Sequence, residues 1–369
     1  MRSAEFNRPQ GPYFLSHSVG LMPLSARQAL DEAYFAPWAA GDSGTWPKWL
    51  AAVETWRAAL APIIGARPGD ICPQTNISSA LTKILGALPA APGRRKIALC
   101  EEDFPTVGFV FGEARRLGFE PYFLKSGAHL ADPDAWAPAF ADDVHLVHVT
   151  HVFSNLGLLT PVAEIVRRAK EKGVIAIVDA AQSAGAVEVD VGAFNADFVT
   201  GTSLKYLCGG AGASWLWVNP DIAPECAPVD VGWFSHENPF EFDIRRFAYA
   251  AGANRFWGGT PSVAPYAIAR AGLEIIARAG VRAIAAGNQA LFDRIAASLP
   301  ERAFASHVTK GERGSSFIVR PRDLPGARQA LGAERIAHDE RAGGLRFSVH
   351  LYNDESDAGR LLDALRRFV

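Results

Sequence analysis

VIAIVDAAQSAGAVEVDV (residues 174–191) and ADFVTGTSLKYLCGGAGASWLWV (196–218) decide the fold of this chain. VIAIVD (174–179) is a short apolar, β-branched run that ends in Asp179. ADFVTGTS (196–203) and ASWLWV (213–218) are two more such runs, and Lys205 with the glycine-rich YLCGGAG lies between them. Runs of this length and apolarity predict buried strands rather than helices.

Upstream, the same alternation continues. TPVAEIVRRAKEKG (160–173) predicts an amphipathic helix, with Thr160 before a proline at the first helical position. DVHLVHVTHV (143–152), EPYFLK (120–125) and RKIALC (95–100) predict strands, and FGEARRLG (111–118) a helix ending in glycine. Strand, helix, strand at this spacing implies crossover units. The expected fold is α/β: a mostly parallel sheet of seven-stranded type with helices on both faces.

Downstream of about residue 260 the texture changes. Residues 261–300 are helical throughout, broken only at Gly280, and SSFIVR (315–320) and LRFSVH (345–350) predict strands around a helix. ESDAGRLLDALRRF (355–368) predicts a closing helix. This divides the chain into a large α/β domain over 13–260 and a smaller C-terminal α+β domain over 261–369. The first twelve residues are expected to pack on the smaller one as an arm.

Composition bounds the partners. The 369 residues carry 37 Lys+Arg against 39 Asp+Glu, a net charge of −2. That balance gives no reason to expect nucleic acid or an anionic membrane surface, and favours a small-molecule partner. No apolar run reaches the roughly 18 residues a membrane span needs. Cys72, Cys100, Cys208 and Cys226 form no C-x-x-C pair, and MRSAEFNRPQGPYF has no apolar signal core, so a cytoplasmic setting is expected.

In an open α/β sheet, ligands gather beyond the carboxyl ends of the strands. Lys205, one of eight lysines, sits between an apolar strand and a glycine-rich turn, where desolvation would lower its pKa and make a nucleophilic amine. A lysine snorkelling at a strand end is the bland alternative. Asp179, twenty-six residues earlier, supplies a buried carboxylate or else caps the next helix. Thr75-Asn76-Ile77-Ser78-Ser79 opens the helix ISSALTKILGAL and offers N–H groups to an anion. Phe104, after RKIALC, offers a flat apolar face, although a lone phenylalanine is more often core. Together they form an amine, a carboxylate, an anion cradle and an aromatic face.

The paired stretches quoted first resemble the cofactor signature of fold-type I pyridoxal-phosphate enzymes, class V aminotransferase superfamily. The likeness runs from PYFLSHSVGLMP (12–23) to LRFSVHLYNDESD (345–357), and DVGWFSH (230–236) and RFWGGTPSV (255–263) resemble the kynureninase branch. The resemblance implies pyridoxal 5′-phosphate as cofactor, joined to Lys205 as a Schiff base, with Asp179 on the pyridine nitrogen. It implies Gln182 on the phenolic oxygen, Phe104 stacked on the ring, and Ile77 and Ser78 on the phosphate with Thr202 or Ser203 nearby. Thr260 would reach the phosphate from the other subunit of a homodimer, and Trp233 would line the pocket. Arg346 matches the arginine that grips the substrate α-carboxylate, where a planar fork suits bidentate binding. Asn155, after the DVHLVHVTHV strand, and His17, within SHSVG, are further substrate-side candidates. Trp38, Trp46, Trp49, Trp233 and Trp257 suggest an aromatic entry and a bulky substrate, or simply core.

No metal site is expected. His145, His148 and His151 are spaced by three, which on a strand turns His148 away from the other two. CGGAGAS precedes a strand and is no dinucleotide fingerprint.

All reactions in this family would begin with an amino acid displacing Lys205, whose freed amine removes the α-proton. No cysteine occurs in 265–369, which argues against persulfide chemistry. Where the kynureninase pattern has a histidine and a tyrosine, this chain has Gln182 and Leu204. Transamination, which needs neither, is therefore the first reading. Kynureninase-like C–C hydrolysis or another β-carbon lyase is the alternative, and amino-acid epimerisation follows.

Overall fold

The computed structural model describes residues 3–89, 91–125, 129–306, 309–341 and 343–369. A seven-stranded sheet forms its centre, in the order β1-β7-β6-β5-β4-β2-β3. The strands are β1 (Ile71–Gln74), β2 (Lys96–Cys100), β3 (Glu120–Leu124), β4 (Val144–Thr150), β5 (Ile175–Asp179), β6 (Phe198–Thr202) and β7 (Ser214–Val218). From β3 to β6 all neighbours run parallel. β7 returns antiparallel to β6, and β1 runs antiparallel to β7. The β6–β7 connection is the glycine-rich turn that carries Lys205, with no crossover helix, which accounts for the reversal.

Six of these strands were legible as apolar runs. β1 was not, because four residues including Pro73 carry too short a pattern. Alternate residues of the central strands enter two apolar layers. Val147, Val178 and Val199 pack on one face, and Leu146, Ile177 and Phe198 on the other. That double burial is why the runs read as continuously apolar.

Two helix starts depart from expectation. Pro161 is the N-cap of the helix Val162–Glu171 rather than its first residue. The helix expected from residue 111 starts at Pro105, where proline suits the first turn, and residues 114–117 tighten into a 3₁₀ turn. The C-terminal helices Ala264–Ala279 and Val281–Ser298 do break at Gly280, whose φ of 80° an L-residue rarely adopts.

A second sheet of three strands has the order β8-β10-β9. β8 (Ser316–Val319) and β10 (Gly344–Ser348) fall in the two expected strand stretches, and β9 (Asp339–Arg341) is added. The helices Leu324–Ala333 and Glu355–Leu365 pack with these strands around Phe317, Leu345 and Phe347. Near the N-terminus, Phe6 meets the Tyr352 ring edge-on at 5.2 Å, and Arg8 pairs with Asp357 at 3.1 Å. No helix among the described residues is long and apolar enough to cross a membrane.

Candidate active site

Beyond the carboxyl ends of β4, β5 and β6 lies a cavity of about 240 Å³. Asp179 ends β5 and Thr202 ends β6, while Lys205 follows in the turn; all three line it. The helix Ile77–Leu85 presents its first residues, Ile77 and Ser78, from one side. Asn76 caps that helix by accepting the Ser79 N–H at 2.8 Å, leaving the N–H groups ahead of it without partners inside the helix. Phe104, just before the helix Pro105–Glu113, and Gln182 complete the set. Seven residues chosen from sequence thus converge on one cavity. A larger, more open groove of about 720 Å³ beside the helix Val281–Ser298 contains none of them.

Burial sets the electrostatics. The Lys205 ammonium is pushed down to about 8, chiefly by desolvation; Asp179 opposes the shift, while Arg346 and Arg341 add to it. Its Nζ lies 5.8 Å from the centre of the Phe104 ring. Burial pushes the Asp179 carboxyl up, against the charges of His148 and Lys205 and the Ala181 N–H, which donates to Oδ1 at 2.7 Å. Lys205 is not the only buried lysine. Lys83, in the helix Ile77–Leu85, is 8% exposed and donates to the carbonyls of Phe256 and Trp257 at 2.9 Å. What distinguishes Lys205 is the cavity it lines.

The remaining candidates do not line the cavity. The Trp233 indole donates to the Thr260 hydroxyl at 3.3 Å, and its ring meets Trp46 at 5.4 Å. Trp38, Trp46, Trp49 and Trp233 belong to one aromatic cluster, which Phe234 joins to Trp257, and none of the five lines this cavity. Asn155 donates its side-chain amide to Glu102. Ser203 points its hydroxyl into a buried position without a partner among the described residues. His17 lies between Asp339 (2.9 Å) and the Ser348 hydroxyl (2.9 Å), and burial pushes it down to about 4. Arg346 donates to the Asp339 carboxylate through Nε and Nη2, and to the Ser154 carbonyl through Nη1.

Sequence reasoning missed Asp339 and Arg341, both on β9. The Arg341 guanidinium stands 5.9 Å from the Phe104 ring centre, its charge acts on Lys205, and its Nε has no partner among the described residues. Three polar residues, DER, carried no strand or site pattern by which to find them.

These residues fit pyridoxal 5′-phosphate. Gln182 gives its Nε2–H to the His17 carbonyl at 3.1 Å, while its buried Oε1 has no partner among the described residues and is left for a ligand. Ile77, Ser78 and Thr202 could hold the phosphate, Asp179 the ring nitrogen, Phe104 the ring face and Lys205 the aldehyde carbon.

Comparison with known proteins agrees. The family model described as Aminotransferase class-V matches residues 50–323. The chain is 31% identical to a kynureninase of Deinococcus radiodurans, over 97% of this chain and 90% of that protein. It is 28% identical to a kynureninase of Pseudomonas fluorescens, over 83% and 74% respectively. Among solved structures, a variant of C-DES with glycine covalently linked to its PLP cofactor superposes with a TM-score of 0.87. That match has 23% identity and covers 98% of this chain and 97% of that one. The last likeness speaks for the fold. The relatives favour bond cleavage over the transamination that residue absences put first.

Proposed function

The chain belongs to the aminotransferase class-V family, and from that premise we propose that it cleaves a bond at the β-carbon of an amino acid, as a kynureninase-like C–C hydrolase. One observation carries the reading: a desolvated Lys205 amine and the Asp179 carboxylate share one cavity in a chain that matches kynureninase almost end to end. When bound there, pyridoxal phosphate supplies a carbonyl carbon for amines and a ring that withdraws electrons from the substrate α-carbon.

The protein's own groups do the rest. With its pKa near 8, Lys205 exposes a sizeable neutral fraction at neutral pH, so the same nitrogen can act as nucleophile and then as proton carrier. Asp179 holds a ring N–H. Phe104 covers one face and excludes water. Arg341, and with it Arg346, supplies positive charge for the substrate carboxylate. Asn155, whose Oδ1 has no partner among the described residues, is a substrate-side acceptor, while both ring nitrogens of His17 are taken by Asp339 and Ser348.

A homodimer is part of the same reading. Phe242 and Ile244 are 79% and 96% exposed on the segment that follows Trp233, apolar side chains that a partner subunit would cover. Thr260, exposed beside Trp233, would then serve a partner's cofactor. The four cysteines, all unpaired and buried, support a cytoplasmic setting. Leu204, apolar and lining the cavity beside Lys205, is the feature that keeps transamination as the second reading.

The test is turnover of aryl γ-keto amino acids such as L-kynurenine by the pyridoxal-phosphate-loaded enzyme. Alanine released without any added keto acid supports hydrolysis. Amino transfer that requires an added keto acid overturns it.

A further inference from the structure

Asp103 and His148 form an ion-pairing couple on the cavity's side of the sheet that the proposed reaction leaves unused. On β4, His148 and Thr150 share the face of Leu146, and Thr150 pairs in register with Asp179 on β5. Asp103, in the turn after β2, reaches the same face. Its carboxylate accepts from His148 Nδ1 at 3.2 Å, the Thr150 hydroxyl at 2.5 Å and the Cys100 N–H at 2.9 Å. The side chains of His148 and Asp103 are 0% and 2% exposed. Phe111 closes over the imidazole edge-on at 5.9 Å, and Nε2 has no partner among the described residues.

We propose that His148, held by Asp103, is a positioning residue that places a buried positive charge behind Asp179 and keeps that carboxylate ionised for a protonated cofactor ring nitrogen. This rests on the reading above that Asp179 meets that nitrogen. The physical reason is charge balance. Two carboxylates, Asp103 and Asp179, are buried along one face, and without a cation one of them would take up a proton. Burial pushes His148 down, but Asp103, by charge and hydrogen bond, and Asp179, by charge, together hold it above the ordinary histidine value. The His148 charge in turn opposes the burial that raises Asp179. The charges acting on His148 are those of Asp103 and Asp179. Lys205 also acts on Asp179, but its nitrogen is engaged once the cofactor is bound.

The experiment loads the full-length enzyme with pyridoxal phosphate labelled with ¹⁵N in the ring and follows the ring shift by NMR from pH 6 to 9. The wild type should keep the protonated shift throughout. In His148→Gln, which retains a donor for Asp103 but no charge, the protonated-to-neutral ratio of the ring nitrogen should fall about tenfold or more, the equivalent of one pKa unit, so that the shift titrates towards the neutral form by pH 9. Asp103→Asn should do the same by releasing the histidine's proton, and it decides alone if His148→Gln fails to fold by circular dichroism. A folded variant that keeps the protonated shift across the range overturns the proposal. A wild type that holds no cofactor on Lys205 overturns the functional reading itself, which separates the two failures.

Discussion

Asp339 stands directly across from Arg346 in the antiparallel pairing of β9 with β10, and its carboxylate takes two hydrogen bonds from the guanidinium, at 2.8 and 2.5 Å. The same carboxylate accepts from His17 Nε2 at 2.9 Å, so one acid ties the N-terminal loop to the second sheet. Asp339 is held well below the usual carboxylate range by these two partners, against its partial burial. Arg346 is buried and Asp339 is about one-third exposed, so solvent weakens the pair but does not cancel it. Arg346→Met should cost roughly 2 kcal/mol of stability. Urea unfolding measures it, and an unchanged midpoint would show that the pair holds nothing together.

Arg341→Met has a different expected signature. This arginine makes no ion pair among the described residues and faces Phe104. Its loss should leave the unfolding midpoint within about 0.5 kcal/mol while raising KM for the amino acid about tenfold or more. Steady-state kinetics separate the two arginines: a KM unaffected by Arg341→Met would return the carboxylate to Arg346.

Lys205→Ala should remove the site of covalent attachment. Borohydride reduction and peptide mapping of the wild type should find a pyridoxyl group on Lys205, and the variant should carry none there. Turnover should fall by about 10³-fold or more, the usual scale for losing a positioned base and nucleophile. A label on Lys83 instead would move the site.

Stability should fall as pH drops from 7 towards 5. Burial pushes His17 and His151 down to about 4 and His350 to about 3. An unfolded histidine titrates near 6.5, so between these values the unfolded chain takes up protons that the folded one does not. Each group therefore withdraws on the order of 2 kcal/mol by pH 5, with the loss beginning near pH 6.5. Urea unfolding at pH 7 and pH 5 measures the slope, which His151→Gln should flatten.

Size-exclusion chromatography with light scattering tests the dimer. Phe242→Glu and Ile244→Glu place charge on the most exposed apolar side chains near Trp233 and should shift the protein to monomer without changing its circular dichroism. A monomeric wild type that turns over substrate at full rate would exclude a shared site.

Much of the chemistry was legible because it rides on local pattern. Asp179 and Lys205 stand at the ends of apolar runs, and strand ends on one side of a parallel sheet must share an edge. Ile77 and Ser78 were marked by a helix start, and Phe104 by its place after β2. By contrast, β1 and β9 are too short to show a period, and Pro73 and the charged DER run disguise them. The burial of Lys83 was not legible, because periodicity does not reveal which face another segment covers.

The alternating sheet, the break at Gly280 and the lysine and carboxylate at neighbouring strand ends are all written in local residue order, since each follows from nearest-neighbour sterics and burial period. Which charges face one another is set by packing in three dimensions. Asp339 on His17, Asp103 on His148 and Arg341 over Phe104 join segments far apart in the chain, and electrostatic pairing depends on distance in space, for which sequence spacing carries no information.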